Sequence, residues 1–312
     1  MNLPLNASKS ECSIDVPVTI LIGKYEYAIL LNVIFNIGLT FTAAVGNILI
    51  ILSFMLVSSL RTTSNYVLFG LALTDLGVGL IVHPLYILVL YRVYKNVIPD
   101  CNIVTAYSVS TTFFAGVSLL YITFIGLDRF LAIRLHLRYP LLVTEKRVSL
   151  VQLSIWATNA LLSLVWMEGF HVYSTLGAVV IAISLVATFA VYIKIYLVVR
   201  RHKAQIRDQM EAQSEQSETN RLKKQRRSAI NTFYVFFAFL VCYFPFFVTT
   251  AVNKISSGAP NVSVVLIYEF TVTLMFSNSS LNPIMYCLRL RDFRIAVKRT
   301  YRRIFCLDAA SE

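Results

Sequence analysis

The sequence predicts an all-α membrane protein, a bundle of seven transmembrane helices with a short amphipathic eighth helix, and three observations carry that expectation. The chain is 57% hydrophobic and only 14% charged, with a mean hydropathy of +0.69, well beyond the roughly 45–50% apolar content of a soluble domain. Its apolar residues fall into stretches of about 20 or more, the length a bilayer crossing needs. Its net charge of +12 gathers on alternate connections between those stretches, all on one side.

The stretches run at 26–56, 65–91, 103–127, 149–167, 172–199, 230–252 and 263–287. Only WMEGFHVYST divides the fourth from the fifth, and fusing them would give six. Glu168, Gly169 and His171 place a charge and a flexible residue where a turn is needed, which favours the division. With the amino terminus outside, Lys9, Lys24, Arg92, Lys95 and Lys254 lie outside, and the other basic residues, Arg61 apart, cluster at 129–147, 194–227 and 289–303. This is the positive-inside pattern, and it assigns the charge to cytoplasmic loops beside anionic lipid, with no nucleic acid as partner. The expected organisation is an extracellular segment over 1–24, the bundle over 25–288, and an amphipathic helix with a cytoplasmic tail over 289–312. The multi-pass chain then belongs in the plasma membrane. Its polar start, MNLPLNASKSECSID, lacks the layout of a cleavable signal peptide, so a later segment directs export.

Polar residues inside the spans mark the candidate sites. Asp75, in LALTDLGVGL, costs about 2.5–3.5 kcal/mol at mid-membrane and must face the bundle interior. Asn47, Ser118, Asn278, Ser279 and Asn282 offer oxygen partners from other spans, a set suited to a sodium ion or to a structural network with water. No other cofactor is expected. Pro84, Pro245 and Pro283 each remove a backbone donor and bend a helix, giving a pivot or a static kink. Asp128-Arg129 ends the third span; the pair reads either as a latch that frees an arginine towards the cytoplasm or as interfacial anchoring.

Taken in order, GN at 46–47, LALTD at 71–75, DRF at 128–130, Trp156, CYFP at 242–245 and NPIMY at 282–286 resemble the rhodopsin-like G-protein-coupled receptors. The resemblance covers nearly the whole chain. It implies a ligand pocket in the outer half, a heterotrimeric G protein docking inside, and arrestin, a receptor kinase and membrane lipid as further partners. It also implies a sodium pocket lined by Asp75, Ser118, Asn278 and Asn282, and rearrangement of Arg129, Tyr192 and Tyr286 on activation. Asp128, Tyr243, Pro245, Asn282 and Pro283 belong to the same coupling machinery. By position, Thr111, Phe114, Ala115, Tyr243, Phe246, Phe247, Thr250 and Phe276 form the pocket wall.

The inner-half segments IRLHLRYPLLVT, VYIKIYLVVRRH and LRLRDFR are most similar to adenosine and melanocortin-type receptors. The outer half departs from them. Thr250 and Phe276 stand where adenosine receptors carry asparagine and histidine, and Thr111 stands where amine receptors carry aspartate, which argues against both ligand classes. Val104 replaces the usual third-helix cysteine. The wall is aromatic and uncharged, which favours a small neutral or lipid-like ligand, with a peptide across an open outer face as an alternative. A constitutively active or heteromeric receptor without its own ligand is the rival within the family.

Cys12 and Cys101 are the two cysteines expected outside, either bridged or as free thiols, and no CxxC pair exists. Cys306, past the basic stretch, is a palmitoylation candidate, and Asn6 and Asn261 head glycosylation sequons. A transporter or channel is disfavoured because no halves repeat and Asp75 is nearly the only deep charge. An enzyme is disfavoured because HExxH, GxSxG and paired carboxylates are absent and His83, His136, His171 and His202 are scattered.

Overall fold

The structure, a computed structural model, describes residues 17–135, 138–165, 179–180, 182–198, 200, 216–255 and 261–304, excluding the side chains of 17, 216–232 and 253–255. A single 3-10 turn, Pro17–Leu21, precedes α1 (Glu26–Leu56). Then come α2 (Thr63–Tyr94), α3 (Cys101–Leu135), one turn at Tyr139–Leu142, and α4 (Glu145–Ser163). The rest is α5 (Ala182–Val198), α6 (Gln216–Ile255), α7 (Val262–Arg289) and α8 (Arg291–Ile304). Among the described residues, five helices are long and apolar enough to cross a bilayer: α1, α2, α3, the Phe233–Val252 part of α6, and α7. The expected fourth and fifth spans run into residues 166–178, outside the described set, so α4 and α5 are their described parts.

Hydropathy ends a span where the lipid ends, whereas a helix continues as long as its backbone bonds do. The 35 residues of α3 rise about 52 Å against roughly 30 Å of hydrocarbon, so its inner end passes the expected boundary at 127 and carries Asp128 and Arg129 beyond it. At α4, Thr144 Oγ1 accepts from Arg147 N at 3.5 Å, starting the helix four residues before its apolar stretch.

The distribution of side chains is that of a protein in lipid. Phe41, Leu161, Ile183, Val186 and Phe244 are exposed, while Asn32, Asn36, Asn47, Asp75, His83, Asn278 and Asn282 are buried. The main apolar cluster runs through the bundle, and a second one joins Ile50, Phe54, Leu60, Ala72 and Tyr286 to Phe293 and Ala296 of α8 at the inner end. Phe293, Ala296 and Thr300 make one buried stripe on α8, spaced three and four apart, while Arg291, Arg302 and Arg303 stay outside it. This is the pattern of a helix lying in the membrane interface.

Two prolines shape the helices in different ways. Pro84 has no N–H for Leu80, and the turn before it, Val78–Val82, is π-helical, with His83 N–H reaching Val78 O five residues back. Pro283 leaves the Ser279 carbonyl without its helical donor, and Asn47 Nδ2 supplies one from α1 at 3.0 Å while also bonding Ala43 O at 2.8 Å. Gly46 permits that approach, because a Cβ there would stand 3.0 Å from the Pro283 ring. The Gly-Asn pair thus serves the proline of another helix.

Asn47→Ala should cost about 1–3 kcal/mol, the range for an orphaned buried carbonyl, read as a lower melting temperature in micelles. In a Pro283→Ala background, where residue 283 regains its own N–H, the same substitution should cost measurably less.

Candidate ligand and signalling sites

At the inner end, Asp128 is buried on α3. Its Oδ2 accepts from Arg129 Nη2 and from Arg129 Nε at 3.0 Å. Its Oδ1 accepts from the Tyr139 hydroxyl at 2.5 Å, which commits the only phenolic proton. Ser64, 3.0 Å from that oxygen, therefore donates to it, so the carboxylate is tied through the inner loop to the start of α2. Burial, and after it the Asp128 carboxylate, push the Tyr139 phenol well above its ordinary value, so it remains a donor throughout the physiological range. Beside this cluster, Tyr192 of α5 stacks on Phe236 of α6 at 4.2 Å and crosses α3 at Gly126, where a Cβ would meet its ring at 2.9 Å. Among the described residues, the buried hydroxyls of Tyr192 and Tyr286 have no hydrogen-bond partner.

At mid-depth, Asn282 Nδ2 donates to Asp75 Oδ2 at 2.7 Å, while Asp75 Oδ1, Asn47 Oδ1 and both polar atoms of Asn278 lack partners among the described residues. Ser118 is buried on α3, and in the aromatic floor of the outer half Tyr243 stacks on Phe239 at 4.0 Å. Three of the four unpartnered atoms are carbonyl or carboxylate oxygens, the donor set a small hard cation takes.

In the outer half, Thr111, Ala115, Tyr243, Phe246 and Phe247 border one cavity of about 110 Å³, together with Asn159, Ser184 and Met275. The buried Thr111 hydroxyl has no partner. Three expected wall residues lie elsewhere. Phe114 turns towards α2 and lies over Gly77, where any Cβ would collide with its ring. Thr250 spends its hydroxyl on Phe246 O at 2.7 Å, and Phe276 packs edge-on to His83 and Tyr86 at 5.6 and 5.8 Å. Between α1, α2 and α7 lies a polar network that the motifs do not point to. Tyr86 donates to Glu269 Oε2 at 2.7 Å, Asn36 donates to Thr273 at 2.9 Å, and His83 Nδ1 bonds Asn36 Oδ1 at 3.0 Å.

The profile of the 7 transmembrane receptor (rhodopsin family) matches residues 46–174 and 164–286, most of the chain. The chain belongs to the rhodopsin family of seven-transmembrane receptors. As such it is a multi-pass membrane receptor with the seven-helix bundle of that family. It is 30% identical to the histamine H2 receptor of Cavia porcellus, the match covering 91% of this receptor and 82% of that one. It is 26% identical to the octopamine receptor beta-1R of Drosophila melanogaster over 91% of its own length, but spans only 64% of that protein. It is 25% identical to the alpha-1A adrenergic receptor of Bos taurus, with 97% and 73% covered. These relatives are named for amines, a different group from the adenosine and melanocortin-type receptors that the inner-half segments resemble.

The receptor's Cys101 is disulfide-bonded, while Cys242 and Cys287 are free; Cys12, Cys306 and Asn6 lie outside the described residues. Asn261 is exposed, and its Oδ1 caps α7 by accepting from Ser263 N at 2.9 Å, which leaves Nδ2 unused by the cap. Glu269 carries no motif that marks it in the sequence, and with it the expectation of Asp75 as nearly the only deep charge falls. It lies only seven residues into α7, where an acid looks interfacial until the fold shows it to be 5% exposed.

Tyr139→Phe should destabilise the receptor by about 1.5–3 kcal/mol, the range for a hydrogen bond to a charged group. A double-mutant melting cycle with Asp128→Asn should return most of that as coupling between the two positions.

Proposed function

We propose that this chain transduces an extracellular ligand to a heterotrimeric G protein, with its amino terminus outside and α6 swinging outward at its inner end. The observation that carries this reading is the Asp128–Arg129 pair, clamped by Tyr139 beside the α5–α6 stack of Tyr192 on Phe236. Outward movement of α6 breaks that stack and opens a cleft in which Arg129, released from Asp128, meets the G protein. Tyr192 and Tyr286 then have hydroxyls to spend in the new arrangement, since neither is committed in this one. Coupling requires only that ligand and G protein prefer the same state. Pro245, in α6, and Tyr243 below the cavity link ligand to movement. Arrestin and a receptor kinase would use the same inner face, and a palmitoyl group on Cys306 would hold α8 at the membrane.

The cavity beneath Phe246 and Phe247 is mostly apolar, and its free Thr111 hydroxyl offers a single directed hydrogen bond. Such a wall suits the uncharged, lipid-like body of a small ligand. Sodium fits the residues around Asp75: Asp75 Oδ1, Asn47 Oδ1 and Asn278 Oδ1 would hold it, and it would favour the inactive packing by tying α1, α2 and α7 together. Cys101 would be bridged to Cys12, tethering the extracellular segment to the outer end of α3.

In cells with matched surface expression, Arg129→Ala should abolish G-protein activation, read as cyclic AMP and inositol phosphate output, and Asp128→Asn should raise the basal level. Purified receptor should melt higher in sodium chloride than in N-methylglucamine chloride of equal ionic strength, by about 1.4 kcal/mol when sodium is tenfold above its dissociation constant. Asp75→Asn should remove that difference.

A further inference from the structure

Glu269 has no part in the coupling just described, yet it is a carboxylate 5% exposed inside the bundle. Its Oε2 accepts from Tyr86, and among the described residues no lysine or arginine forms an ion pair with it. A buried carboxylate with one hydrogen bond and no cation is costly and calls for a partner. The neighbouring His83 is fully buried and points the same way. Asn36 spends its Nδ2 on Asn32 and Thr273, so its Oδ1 accepts, and His83 Nδ1 must be the donor to it. That tautomer leaves Nε2 as a bare acceptor, and Nε2 has no partner among the described residues. Aromatic rings adjoin the two groups: Tyr86, which bonds Glu269, stacks on Tyr107 at 5.2 Å, and Phe276 meets both Tyr86 and His83 edge-on.

We propose that Glu269 and His83 form a recognition site for a protonated organic amine on the ligand, with Tyr86, Tyr107 and Phe276 supplying the surrounding aromatic faces. Both free groups are acceptors, so an anion is repelled and an ether or ester brings nothing to donate. An ammonium group brings the charge and the N–H donors together, and aromatic faces attract it further. The Pro17–Leu21 turn packs on α7 and the outer half of α2, with Val18 and Leu21 buried, so the direct outer approach is covered. Tyr107, half-buried on α3, stacks on Tyr86 one helical turn from Thr111, which lines the cavity. Met275 lines that cavity, and six residues of helix separate it from Glu269, about 9 Å of rise. The ligand is therefore amphipathic, with its apolar body near Thr111 and its amine at Glu269. The inference rests on the receptor reading above.

The test uses the full chain in nanodiscs and the melting shift produced by a panel of octopamine, histamine, tyramine and choline, each beside a neutral analogue. At least one amine is expected to raise the melting temperature saturably, and its neutral analogue is not. Glu269→Gln, which keeps an acceptor for Tyr86, should weaken that amine tenfold or more. Tyr86→Phe, which keeps the charge, should change it less than threefold. No response to any amine, a response that survives Glu269→Gln, or equal loss in both variants would each overturn the proposal; equal loss would mark Glu269 as a structural partner of Tyr86. Nucleotide exchange on added G protein, compared between wild type and Arg129→Ala, separates the two readings, because exchange that depends on Arg129 survives a failure of the amine site.

Discussion

Hydrocarbon offers no hydrogen bonds, so every polar group carried into the bundle has to be answered by another part of the chain. The fold is organised by those answers. Pro283 opens the backbone of α7 and Asn47 of α1 closes it, which fixes the depth at which the two helices meet and requires glycine at position 46. The same rule operates twice more between α1 and α7. Asn36 bonds Thr273 and Thr42 bonds Ser280 at 2.9 Å, so polar contacts at three depths set the alignment of one helix against the other while the lipid-facing surfaces stay interchangeable.

Three buried acids lie at three depths, and each is answered differently. Asp128, near the inner end of α3, has an adjacent guanidinium and a phenol. Asp75 has one amide, which leaves its second oxygen without a partner among the described residues and its charge unneutralised. Glu269 has a phenol alone. Compensation is fullest at the inner end, and the two acids above it, each with one hydrogen bond and no cation, are the least complete within the described chain. Structural needs are met where the receptor must hold together, and electrostatic needs are left open where it must respond.

The helices and the inner cluster could be read from the sequence because lipid filters composition strongly, and because Asp128, Asn282 and Pro283 sit in short recognisable strings. Helix ends could not be read, since backbone bonding continues past the lipid boundary at α3 and begins before it at α4. The outer wall was partly legible: Thr111, Ala115, Tyr243, Phe246 and Phe247 share a cavity, whereas Phe114 turns away because Gly77 opens a slot for its ring. Position along one helix cannot reveal a slot in another. Tyr86, His83 and Glu269 went unread for the same reason, since their meaning lies in a meeting of α2 with α7 that no local pattern encodes.

The π-helical turn at Val78–Val82 carries an evolutionary implication. A wide turn stores about one extra residue, and each residue of helix corresponds to roughly 100° of rotation. Loss of a single codon within VGLIV would remove that extra residue and let the segment relax to an ordinary helix, leaving Asp75 on one side and Tyr86 on the other facing as before. A deletion one turn further along, in ordinary helix, would instead rotate everything beyond it by roughly 100°. The wide turn is thus a place where α2 can change length by one residue while its ligand-facing half keeps its aim.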